Sequence, residues 1–103
     1  MNPTRREKLE AMLEEDPADH TLRYMLAMEL QKEGDHDQSL RLFSELMDGD
    51  PPHVPAFLMA GQQLAGLGRI DEAKATYRRG IEQAQVQGNE HATGEMGQFL
   101  AEL

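Results

Sequence analysis

The 103-residue chain has no cysteine and no tryptophan, and its aromatics are two Tyr and three Phe. Without cysteine there can be no disulfide, thiol nucleophile or thiolate metal site. With so few rings, the core must rest on Leu, Met and Ala. No apolar run approaches the length of a bilayer span, and Arg5-Arg6 is followed by Glu7-Lys8 rather than by an apolar stretch. Neither a membrane span nor a secretion signal is expected, so a cytoplasmic setting is the default. Positive charge is also scarce, with 10 Lys and Arg against 19 Asp and Glu for a net charge of −9. Such a field repels polyanions, which makes nucleic acid and anionic membrane surfaces poor partners. The excess lies mainly in residues 1–50, with 13 acids and 6 bases, against 6 and 4 in residues 51–103. No strand-like alternation appears, and no Gly-rich phosphate loop follows a strand.

What is present is one pattern written twice. An offset of 34 residues lays Pro17 on Pro51, Gly34 on Gly68, Asp37 on Asp71, Ser39 on Ala73 and Phe43 on Tyr77. Each unit opens with proline, runs through helix-compatible sequence to a glycine, and resumes as a second helical run carrying an aromatic. A helix, a tight turn and a helix result. The 39% hydrophobic and 28% charged content suits a folded helical chain. At this length one domain buries about 65% of its unfolded surface.

Local signals place the elements. Thr4 with Glu7 has capping-box spacing, and Leu9, Met12 and Leu13 follow on one face. Asp16-Pro17 breaks that helix, because the residue before proline is steered out of the α region. Asp19 is the expected cap of the next, with Leu22, Leu26, Ala27 and Leu30 as its core stripe. Gly34 stops it. Asp37 is then the expected cap of a helix bearing Leu40, Phe43, Leu46 and Met47, which Asp50-Pro51-Pro52 ends. Pro55 suits a first turn, and Phe57, Ala60, Gly61 and Leu64 face inward as far as Gly66 and Gly68. Asp71 is the expected cap of the partner helix with Ile70, Ala73, Tyr77, Gly80 and Ile81. Gln85 replaces a closing proline, so this helix should continue to about Gln87, with Gly88-Asn89 as stop and new cap. The last stripe is Ala92, Met96, Phe99, Leu100 and Leu103. Ala27 and Gly61, at equivalent positions, should let paired helices approach closely.

A 34-residue period with this content resembles the tetratricopeptide repeat. The second unit supplies the family's pattern as Phe57, Ala60, Gly61, Leu64, Gly68, Ala73, Tyr77 and Gly80. The first supplies Leu26, Ala27, Leu30, Gly34, Ser39, Phe43 and Pro51, with Arg23 in place of the bulky first residue and Leu46 in place of a small late one. The resemblance implies an all-α fold, a right-handed α-α superhelix of about six antiparallel helices in one domain. Residues 1–17 would be an N-terminal half-repeat, 18–51 and 52–87 the two repeats, and 88–103 a C-terminal capping helix.

In this family the first helix of each pair lines a concave groove that binds peptides or partner helices. The resemblance therefore implies a non-catalytic protein- or peptide-binding scaffold, without a cofactor or metal, whose contact face is Tyr24, Met28, Gln31, Leu58, Met59 and Gln62. Met25 lies beside it, and adaptable methionines suit a surface that accepts a partner. A neutral or basic, partly apolar protein or peptide fits the acidic surroundings. Two other readings stand beside this one: the terminal helices cover these residues, or the chain forms a homodimer through the groove or an end helix. Relatives that clamp chaperone carboxylate tails carry basic groove residues, whereas Thr21, Tyr24, Met25, Met28, Pro55, Leu58, Met59 and Gln62 include none. His20, His36, His53 and His91 lack ligand spacing and read as solvent-facing loop histidines. Asp35-His36-Asp37 reads as a turn, and Glu14-Glu15-Asp16 as a solvated charge run.

Overall fold

Six α-helices and no strand make up residues 2–103, the part of the chain that the computed structural model describes. They are α1 (Arg5–Glu15), α2 (His20–Glu33), α3 (His36–Met47), α4 (Val54–Gly66), α5 (Ile70–Val86) and α6 (Glu90–Ala101). None is long and apolar enough to cross a membrane.

Local chemistry explains most boundaries. At α1 the Thr4 hydroxyl accepts from the Glu7 amide and the Glu7 carboxylate from the Thr4 amide, each at 3.1 Å. The Thr4 amide, followed by its hydroxyl, holds the Glu7 carboxyl below its ordinary range. Asp19 Oδ1 accepts from the Leu22 amide at 3.0 Å, and Asn89 Oδ1 from the Ala92 amide at 3.0 Å, as their sequence positions predict. Gly34 and Gly68 close the two hairpin turns at φ 86° and 78°, where a side chain would be strained. Such short turns leave the joined helices antiparallel.

Two caps differ from expectation. Asp35, not Asp37, caps α3 through the Gln38 amide, because the helix begins directly after the glycine turn. Asp37 lies in the first turn instead. The same shift puts Arg69 at the head of α5 with no side-chain cap, and leaves Asp71 and Glu72 in its first turn. There their charge still complements the helix N-terminus, and the Arg69 guanidinium forks onto the Glu72 carboxylate.

Packing joins neighbours in sequence. Helix pairs α2–α3 and α4–α5 are in extensive contact, while α2, α4 and α6 touch side by side. The main core contains Ala27, Phe43, Phe57, Ala60, Tyr77 and Met96, all essentially inaccessible. A second cluster of Leu9, Leu26 and Leu30 ties α1 to α2. Close approach of α4 and α5 depends on Gly61, where a Cβ would lie 2.4 Å from Tyr77 Cε1. Arg79 links the layers, with its guanidinium 5.4 Å from the Phe57 ring centroid and 3.2 Å from Asp48.

Two expected core positions are exposed. Met12 is 50% exposed and Leu103, beyond the end of α6, is 37% exposed. Arg23, where the second repeat has Phe57, lies across the α2 surface. Its guanidinium donates to the Pro17 carbonyl at 2.6 Å, and its Nε lies 3.5 Å from Glu45.

Candidate functional site

Tyr24, Met28 and Gln31 recur at helical spacing on α2, and Leu58 and Gln62 on α4, so each set shares one face of its helix. Contact between α2 and α4 brings these helices into one layer. Met28 is 38% exposed, and Gln31 and Gln62 are half-buried. Tyr24, Leu58 and Met59 are half-buried and pack against the main core. Tyr24 and Leu58 thus each anchor one side in the core and keep part of their surface exposed. Met25 turns away from this set, packing with Leu9 and Leu26 in the cluster beneath α1.

His53 joins Tyr24 where the chain enters α4. The Tyr24 ring is edge-on to Phe43 at 6.0 Å between centroids and tilted against His53 at 5.1 Å. Burial raises the Tyr24 hydroxyl above its ordinary range. Burial first, and then nearby His20, hold the His53 imidazole below the ordinary 6.5. His53 Nε2 is itself buried without a hydrogen-bond partner. His20 and His53 share a cleft with Asp50 and Asn89, as their places at successive helix starts suggest.

His53 is thus not a solvent-facing loop residue, and neither is His36. Gln63 Nε2 lies 2.9 Å from His36 Nδ1, and the Gln63 side chain reaches buried Ser39, whose hydroxyl donates to the Ala27 carbonyl at 2.6 Å. With the amide nitrogen as donor, His36 Nδ1 is the acceptor in this contact. These contacts link α2, α3 and α4 where the two repeats meet. Sequence reading missed Gln63. The available signal was a polar residue next to Leu64 opposite a small buried Ser. His20 and His91 are exposed, and no group of three or more metal-ligating side chains comes together among the described residues.

Comparison with known proteins agrees with this architecture. The tetratricopeptide repeat family matches residues 30–93, more than half of the chain. A tetratricopeptide repeat domain protein from Salinibacter ruber, solved in solution, is 34% identical. It superposes with a TM-score of 0.78 over 84% of this chain and 88% of its own. The crystal structure of that domain gives 33% identity and a TM-score of 0.73 over 82% and 93%. A Bordetella parapertussis protein solved in solution is 27% identical, with a TM-score of 0.81 over 98% of this chain and 88% of its own. No curated protein matches the sequence. On the strength of the repeat register, the paired helices and these matches, the chain belongs to the tetratricopeptide repeat family.

Proposed function

We propose that the layer formed by α2 and α4 is a non-catalytic docking face for a short segment of another protein. Tyr24, Met28, Gln31, Leu58, Met59 and Gln62 make the contacts. The observation that carries this reading is the partial exposure of apolar side chains already held by the core: Tyr24, Leu58 and Met59 are half-buried, and Met28 is 38% exposed beside them. Side chains fixed on one side lose little freedom when a partner covers the other, which favours binding.

The partner is an extended or helical segment, partly apolar and neutral or basic, since the net charge of −9 disfavours acidic peptides and polyanions. A cytoplasmic setting accompanies this reading. The test is selection from a random peptide library on the immobilised chain. Selected peptides should be apolar with basic flanks, and their affinity should fall at least tenfold in the Tyr24→Ala, Leu58→Ala double variant while its helical circular dichroism is retained. Selected peptides that bind the folded double variant unchanged would refute the assignment of this face.

A further inference from the structure

We infer that this chain associates head to tail, with α6 of one copy packing on α1 of the next to complete a helix pair. This interface is separate from the α2–α4 docking face.

The two complete pairs show what each position requires. A small residue stands eight positions after the cap of each first helix: Ala27 after Asp19, and Gly61 after His53. Ala27 is fully buried and its carbonyl takes the Ser39 hydroxyl, while Gly61 lies under the Tyr77 ring. Gly97 occupies the same place eight after Asn89 in α6, yet a Cβ there would meet nothing within 4 Å. Gly94, nearly one turn earlier, is equally open. Thus α6 has the register of a first helix and shows the face to which a second helix would attach.

α1 shows the converse. An offset of 34 places Leu9 on Phe43, Met12 on Leu46 and Arg5 on Ser39, so α1 has the register of a second helix. Leu46 is 0% exposed in its pair, whereas Met12 is 50% exposed. Arg5, Lys8, Leu9, Met12 and Met25 line an open slot beside α2. Among the described residues α1 contacts only α2, and α6 only α4 and α5, so the two faces lie at opposite ends of the stack.

The occupant is chosen by fit and charge. Where Ser39 meets the Ala27 turn in a complete pair, Arg5 would meet Gly97, and glycine leaves the most room for the longer side chain. After Arg79 the chain has Glu82, Glu90, Glu95 and Glu102 and no Lys or Arg. Residues 5–8 hold Arg5, Arg6 and Lys8 against a single acid. Those bases sit at the start of α1 and Glu14 and Glu15 at its end, against the helix dipole. Antiparallel docking, as within α2–α3 and α4–α5, sets the basic start of α1 beside Glu102 and the middle of α6. Glu90 then faces the acidic end of α1, which keeps the association weak. The contact joins two different surfaces, so it propagates instead of closing as a dimer.

Native cysteine is absent, so disulfide trapping tests the geometry cleanly. Met12→Cys and Thr93→Cys occupy positions that would face each other as Gly80 and Phe57 do within α4–α5, where a Gly80 Cβ would lie 2.5 Å from Phe57 Cβ, and both variants should fold as the wild type. Mixed under mild oxidation, they should cross-link as a heterodimer at least fivefold more than either alone. The double variant should give a ladder beyond dimer, and Arg5→Glu should reduce both yields severalfold. Wild-type mass by sedimentation should rise with concentration above the 11.6 kDa of one chain. A Thr93→Cys homodimer as the main product would mean a symmetric α6–α6 contact and overturn the inference. So would trapping no greater than a Ser44→Cys, Val86→Cys control pair, or a mass that stays monomeric throughout.

Discussion

Replacing Gly61 by Ala tests the close approach of α4 and α5 with a change of one methyl group. On local grounds alone the substitution should help, because alanine is favoured over glycine inside a helix by about 1 kcal/mol. In the folded chain that methyl would lie 2.4, 2.7 and 2.8 Å from Tyr77 Cε1, Cζ and Cδ1, more than 0.5 Å inside the optimal carbon separation of about 3.5 Å. Tyr77 has little room to retreat, since it is 1% exposed and stacked on Phe99 at 6.1 Å with the rings 12° apart. Overpacking of this kind costs about 1–3 kcal/mol. A contact this short belongs at the upper end, leaving a net loss of about 1–2 kcal/mol. For a chain of this size the melting temperature falls by about 5–15 °C. Gly94→Ala is the matched control, with the same gain in propensity and nothing within 4 Å of the new methyl. It should raise stability by up to about 1 kcal/mol. Urea and thermal unfolding followed by circular dichroism at 222 nm would measure both, with an unchanged m-value showing that the same surface is exposed on unfolding. If Gly61→Ala were as stable as the wild type, or more so, the steric argument would fail.

The remaining predictions concern buried polar groups and pH. Gln63→Ala should destabilise by about 2 kcal/mol, since it strands the buried Ser39 and His36 contacts and removes volume from the α3–α4 junction. Chemical denaturation measures the loss; a variant within 0.5 kcal/mol of wild type would assign the network no stabilising role. The folded state disfavours protonated His53. Its contribution to stability is therefore intact above the ordinary 6.5 and falls as pH drops from there through the depressed folded value. Imidazole titration by NMR should place His53 below 6.5, and His20→Gln should move it partway back. A His53 midpoint at or above 6.5 would contradict the burial argument.

The repeat was legible because its signals are local. A proline, a glycine turn and capping residues act within about four positions of themselves, so Thr4, Asp19 and Asn89 could be identified from neighbours alone. Asp35 was the near miss. Asp37 aligned with Asp71 across the repeats, but capping follows the residue directly after the glycine turn, and that position is Arg69 in the second unit. The groove candidates could be named from repeat register, while their degree of burial could not. Tyr24 lies against His53, 29 positions away in the chain, and no pattern along α2 announces which ring will face it.

The sequence by itself therefore determined six helices, their order, their turns and the small residues where pairs approach, because hydrogen bonding and steric fit over one or two turns decide these. Tertiary structure alone decided that Gln63 and His36 join across 27 positions, that Met25 serves α1, and that Met12 and Gly97 are left open at opposite ends. Burial is a property of what lies across an interface. Identical repeat positions are covered when a neighbouring helix is present and exposed when it is not.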